Sequence, residues 1–158
     1  MRKRSLSQTG FTLVEVVVVI VIIIILFSVV LFIVDQYANR SKDSNVKGNL
    51  AILIPSGEAY YTGPGNNSYG EEGGYGEEGV NNFCNSSVVK NAFLQIPSES
   101  DPLCEVNEFG DEWAACAKLF VLKDPNRKAF CVDSRGVKEE MDVSLCDEET
   151  FSTKCPDL

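Results

Sequence analysis

The feature that most constrains this chain is an apolar run from Phe11 to Val34, in which Thr12, Glu15 and Ser28 are the only polar side chains. As a helix it would be about 36 Å long at ~1.5 Å per residue, enough to cross the ~30 Å hydrocarbon core of a bilayer. Val and Ile dominate the run, a composition that favours strands in water. Its length and lack of alternation nevertheless select a helix, because lipid obliges backbone groups to pair within their own segment. Arg2, Lys3 and Arg4 precede it, with no acidic residue among residues 1–10. That end is therefore expected in the cytoplasm and everything after Val34 outside. A secretory signal peptide does not fit, since its apolar core is about 7 to 15 residues long and ends at a small-residue cleavage site.

Cys84, Cys104, Cys116, Cys131, Cys146 and Cys155 all follow the run, on the side where an oxidising compartment permits disulfides. No two of them form a C-x-x-C pair and the chain has no histidine, so no zinc site, other metal or cofactor is expected. Three bridges are expected instead. Six cysteines allow fifteen pairings; the working expectation is sequential, Cys84 with Cys104, Cys116 with Cys131 and Cys146 with Cys155, each closing a loop of roughly 10 to 20 residues. The same lack of histidine removes the usual Ser-His and Cys-His arrangements, and no spacing singles out an acid and base among the carboxylates. The chain reads as no enzyme. Its formal charge is −9, and losing the three basic residues of positions 1–10 would leave −12. Direct nucleic-acid binding is not expected of such a surface.

Glu15 is the oddity, because a carboxylate among apolar groups is costly without a partner. It stands in Gly10-Phe11-Thr12-Leu13-Val14-Glu15, behind a basic leader and ahead of the apolar run. This string resembles the N-terminus of a type IV prepilin. The resemblance implies that prepilin peptidase cuts between Gly10 and Phe11 and that Phe11 becomes the N-methylated terminus. It also implies that Glu15 meets the terminal amine of Phe11 in a neighbouring subunit, a buried ionic contact that sets register between helices. The partners implied are prepilin peptidase, other copies of the chain in a helical filament, the inner-membrane assembly machinery, and membrane lipid before assembly. The location implied is the inner membrane with the N-terminus in the cytoplasm, then a cell-surface pilus. Thr9 stands where the family often has Lys or Arg, Val14 where Ile is commoner, and no Pro or Gly occurs from Phe11 to Gln36. A pseudopilin of a secretion or DNA-uptake system shares this N-terminus. A single-pass anchored binding module is the reading in which Glu15 merely snorkels to the interface.

The fold class expected is α+β: a long N-terminal helix, membrane-spanning in its first half and amphipathic in its second, packed on a small antiparallel sheet tied by disulfides. The segments are a leader (1–10), the membrane and assembly helix (11–34), its amphipathic continuation (35–62), a Gly/Glu/Tyr-rich loop (63–82) and a sheet region (83–158). Val46, Leu50, Leu53, Gly57 and Tyr60 form a helical stripe with Ile54 and Tyr61 beside it, and Pro55 should kink or break the helix near position 55. Gly63-Pro64-Gly65 ends it. In the loop Tyr69 to Gly73 is repeated as Tyr75 to Gly79. That text reads as a flexible acidic surface loop, with a tyrosine recognition surface or calcium as alternatives. Phe83 to Ile96 fits a short amphipathic helix or an irregular piece. Trp113 to Leu122 and Ala129 to Val137 read as a hairpin turning at Asp124-Pro125. The stretch "KAFCVDSRG" within it resembles sheet text of many pilins. A last strand is expected around Val143 to Cys146.

Overall fold

A computed structural model describes residues 11–121 and 128–156; the leader and the expected Asp124-Pro125 turn lie outside them. Helix α1 runs from Leu13 to Ala51. The chain divides after Tyr37 into two compact units.

In the first unit the described apolar side chains are all exposed, from Ile33 at 42% to Leu13 at 80%. The helix has no protein partner for any of this surface, as expected of a segment whose solvent is lipid or other helices. Ser28 donates its hydroxyl to the Ile25 carbonyl at 2.7 Å. That local bond answers its one polar group without leaving the apolar run.

The second unit is α+β, and it begins with the rest of α1. Val46, Leu50 and Leu53 are fully buried, so the predicted stripe is the face that meets the sheet. Helix α2 spans Leu53 to Thr62, and the two helices part at Ile52, three residues ahead of Pro55. Pro55 has no N–H to offer the Ala51 carbonyl, and its ring crowds that same carbonyl. The interruption therefore falls one turn earlier than position 55, with Pro55 inside the first turn of α2. Gly57 leaves room for the Trp113 ring of the sheet: a Cβ there would sit 2.7 Å from Trp113 Nε1.

A two-residue strand β1 (Gly73–Gly74), β2 (Leu103–Val106), β3 (Trp113–Lys118), β4 (Lys128–Asp133) and β5 (Lys138–Asp142) form one antiparallel sheet in chain order. Strands β3 and β4 are the expected hairpin, with Cys116 directly opposite Cys131. The last strand is corrected: β5 is Lys138 to Asp142, and Val143 to Leu145 is a 3-10 turn. Its text Lys-Glu-Glu-Met-Asp lacks strand-formers, but only Met141 is buried, and Glu140 pairs with Lys47 Nζ at 2.6 Å. A charged edge strand also discourages pairing with another sheet. Asp142 ends the strand by accepting the Ser144 N–H at 3.0 Å.

Successive residues of β3 serve two cores. Trp113, Ala115 and Ala117 join Val46, Leu50, Phe83, Val89 and Val132 on the helix side. Ala114 and Cys116 join Ala129, Cys131, Met141 and Phe151 on the other. Helix α3 (Ser87–Gln95), capped by the Ser86 hydroxyl on Val89 N, adds Val89, Ala92 and Phe93 to the first. Asp43 fastens α1 to the chain after β3, its carboxylate accepting Phe120 N–H at 2.6 Å and Val121 N–H at 3.2 Å.

In the loop of residues 63–82 the four glutamates are exposed, as in an acidic surface loop. The loop does not stand apart from the core: Tyr69 is 4% exposed and lies among Tyr61, Phe83 and Trp113, with ring centroids 5.0 to 6.3 Å away. Gly70, at φ 103°, bridges Asn82, and a Cβ on it would sit 2.5 Å from the Asn81 carbonyl oxygen. The Asn82 side chain donates to the carbonyls of Glu71 and Gly73. The second tyrosine of the repeat, Tyr75, remains 37% exposed with an edge contact to Phe93.

Candidate assembly site at the helix N-terminus

Helix α1 opens with a reciprocal cap. Thr12 precedes the first helical residue, Leu13. Its hydroxyl oxygen accepts the Glu15 N–H at 3.3 Å. The Glu15 carboxylate in return accepts the Thr12 N–H at 3.4 Å and its hydroxyl at 3.3 Å. This is a capping box, in which positions N-cap and N3 answer each other's orphan donors, and the helix dipole favours a negative charge in the first turn. All three distances are long, so the cap holds the carboxylate loosely. Glu15 itself is exposed, as are Phe11 (79%) and Val14 (69%). The carboxylate is thus oriented locally and open to a second partner.

Phe11 lies one residue before the cap, so a chain beginning there would place its amine beside the first helical turn. Gly10 lies outside the described residues. Thr12 is the residue missed from sequence; the signal that could have found it is [ST]-x-x-[DE] ahead of an apolar run.

The six cysteines are all bridged: Cys84 to Cys104, Cys116 to Cys146 and Cys131 to Cys155. The sequential pairing is corrected at Cys116–Cys131 and Cys146–Cys155. The β3–β4 ladder already holds those two strands together, whereas the described tail that carries Cys146 and Cys155 has no strand pairing of its own. Cys116 and Cys131 instead reach across to the tail that covers their face of the sheet. Asp133, fully buried, anchors the same tail. Its carboxylate accepts from Cys155 N at 3.1 Å and from Arg135 Nη2 at 2.7 Å, and Arg135 donates on to the Cys155 carbonyl.

On that face Glu72, Glu77, Glu105 and Glu108 line a hollow of about 610 Å³. Burial, and secondarily the Glu77 charge, push the Glu105 pKa up. Among the described residues no set of three or more His, Cys, Asp or Glu side chains has the arrangement to hold a metal ion.

No curated protein and no solved structure matches the chain. Residues 6–31 match a family model described as the prokaryotic N-terminal methylation motif. The matched segment contains Gly10, Phe11, the capping box and most of the apolar run, and with it this chain carries the N-terminal motif of type IV prepilins, shared by pilin-like proteins and pseudopilins.

Proposed function

We propose that the chain is a structural subunit of a type IV pilus or pilus-like filament. Prepilin peptidase would cut it after Gly10, Phe11 would be N-methylated, and residues 11–34 would pack helix against helix. The observation that carries this reading is the exposed, loosely capped Glu15 carboxylate at the head of a helix with no other protein cover, inside the matched motif. The apolar helix and motif are consistent with anchoring in the inner membrane before assembly. The disulfide-tied unit then forms the coat of the filament. Glu15 neutralises the amine of the preceding subunit, which removes two charges from apolar surroundings at once.

The cap supplies the control that a test needs. Glu15→Gln retains a capping box but carries no charge, whereas Glu15→Val loses both. Both variants should insert normally and fail to form fibres visible by electron microscopy. Fibres from Glu15→Gln alone would assign Glu15 to helix capping and remove the ion pair. Intact-mass analysis of sheared surface material should find a chain starting at methylated Phe11. Surface protein still carrying residues 1–10 would end the processing claim. A pseudopilin would give the same processing but no loss of long surface fibres on deletion.

A further inference from the structure

The bridge pattern itself points to a partner. Along the chain, Cys116, Cys131, Cys146 and Cys155 are joined first to third and second to fourth, so the two bridges over the back of the sheet cross. A chain whose cysteines arrive in order outside the membrane meets other pairings first. Cys116 and Cys131 close a loop of 15 residues (116 to 131), against a separation of 30 for the native Cys116–Cys146 bridge. The 3/2-power dependence of loop closure on length favours the shorter loop about threefold. Cys146 and Cys155 close a loop of 9 residues (146 to 155), against 24 for Cys131–Cys155, an advantage of about fourfold. Strands β3 and β4 add to this bias, since their register sets Cys116 opposite Cys131 on the side that the tail has yet to cover.

The non-native pair is a trap. It occupies both sheet cysteines, so neither can tie down the tail that covers their face. It also leaves Cys146 and Cys155 only each other. In the finished fold no cysteine is more than 2% exposed, so exchange has to occur before the tail docks. We infer that this protein is a client of a thiol–disulfide isomerase in the compartment outside the membrane, acting after a disulfide-donating oxidase has closed the consecutive bridges.

The exchange balances without further oxidant. The isomerase thiolate attacks Cys116 Sγ, breaking Cys116–Cys131 and freeing the Cys131 thiolate. Cys131 attacks Cys155 Sγ, forming Cys131–Cys155 and freeing Cys146. Cys146 then attacks Cys116 Sγ in the mixed disulfide, forming Cys116–Cys146 and returning the isomerase thiolate. Two bridges enter and two leave. The oxidase step takes two electrons and two protons per bridge, which reduce its own disulfide to a dithiol.

The test uses the full chain, reduced and unfolded, returned to detergent micelles with oxidised glutathione, with or without a purified protein disulfide isomerase. Samples are alkylated at intervals and the linked peptides are identified by mass. Without isomerase, Cys116–Cys131 should exceed Cys116–Cys146 about threefold at early times. Catalytic isomerase should speed the appearance of both crossing bridges by about tenfold or more. Native bridges that form first, at a rate the isomerase leaves unchanged, would overturn the inference. The variant Cys84→Ser, Cys104→Ser, Cys131→Ser, Cys155→Ser leaves Cys116 and Cys146 only each other, and that bridge should then form at the same rate with or without isomerase. A persistent isomerase effect there would show that crossing is not the cause. The chemistry is read in vitro, so the result stands apart from whether the chain forms a filament.

Discussion

One face of the five-stranded sheet is covered by helices and the other by an irregular tail, and the two are held by different forces. On the helix side large apolar side chains do the filling: Trp113, Phe83, Leu50 and Leu53 are nearly or wholly buried. The tail side offers small residues, Ala114, Ala129 and two half-cystines, with Met141 and Phe151 at its rim. Two crossing disulfides and the buried Asp133 carboxylate stand in for the missing apolar volume. A helix brings a ready apolar stripe to a sheet. A tail with no regular structure must be tied down bond by bond, because it satisfies few of its own backbone groups. The comparison teaches that the first face should respond to changes of volume and the second to changes of bonding.

The largest effect should come from Trp113→Ala, which empties the helix-side core and should cost about 4–5 kcal/mol in chemical denaturation. Asp133→Ala should cost about 3 kcal/mol although it removes little volume, since it takes the acceptor from the backbone N–H groups of Arg135, Val137 and Cys155, at ~1–3 kcal/mol for each buried group left unsatisfied. A loss under about 1 kcal/mol would break the contrast between the faces. Replacing Cys131 and Cys155 together by Ala opens a 24-residue loop and should cost about 3 kcal/mol in chemical denaturation. Gly57→Ala, on the volume-sensitive face, should cost about 1–2 kcal/mol, the overpacking against Trp113 outweighing the gain in helix propensity.

The smallest effect concerns Glu105 and pH. Burial and Glu77 raise its pKa in the folded chain. A group with a raised folded pKa adds stability that is complete below its unfolded pKa and is lost as pH rises through the folded one. Glu105→Gln should therefore be slightly more stable than the unaltered chain at neutral pH. Its advantage should shrink as pH falls toward the ordinary carboxylate range. An advantage that is the same at both pH values would separate Glu105 from the hollow's electrostatics.

Much of this was legible in local text. The membrane helix follows from run length against bilayer thickness, and the motif around Glu15 from residues that are neighbours in sequence. The stripe of Val46, Leu50, Leu53 and Gly57 follows from helical spacing. Thr12 is legible by the same logic, as the first residue of [ST]-x-x-[DE] ahead of an apolar run. Strand β5 was not, because Lys138 to Asp142 has no strand preference of its own; its pairing with β4 and the Lys47 contact put it there. The two YGEEG repeats make the limit plain. Tyr69 is packed among three aromatic rings while Tyr75 stays partly exposed, and nothing within the repeat distinguishes them.

By itself, then, the sequence determined what depends on near neighbours along the chain: the apolar span, the capping box, the N-terminal methylation motif and the buried helical stripe. Only the tertiary structure decided which cysteines join, which tyrosine is buried and that a fully buried Asp133 anchors the tail. The bridges and the Asp133 anchor depend on what is brought across the sheet from 20 or more residues away, and the burial of Tyr69 on rings 8 to 44 residues away; such pairings are set by the register of strands and the path of the chain.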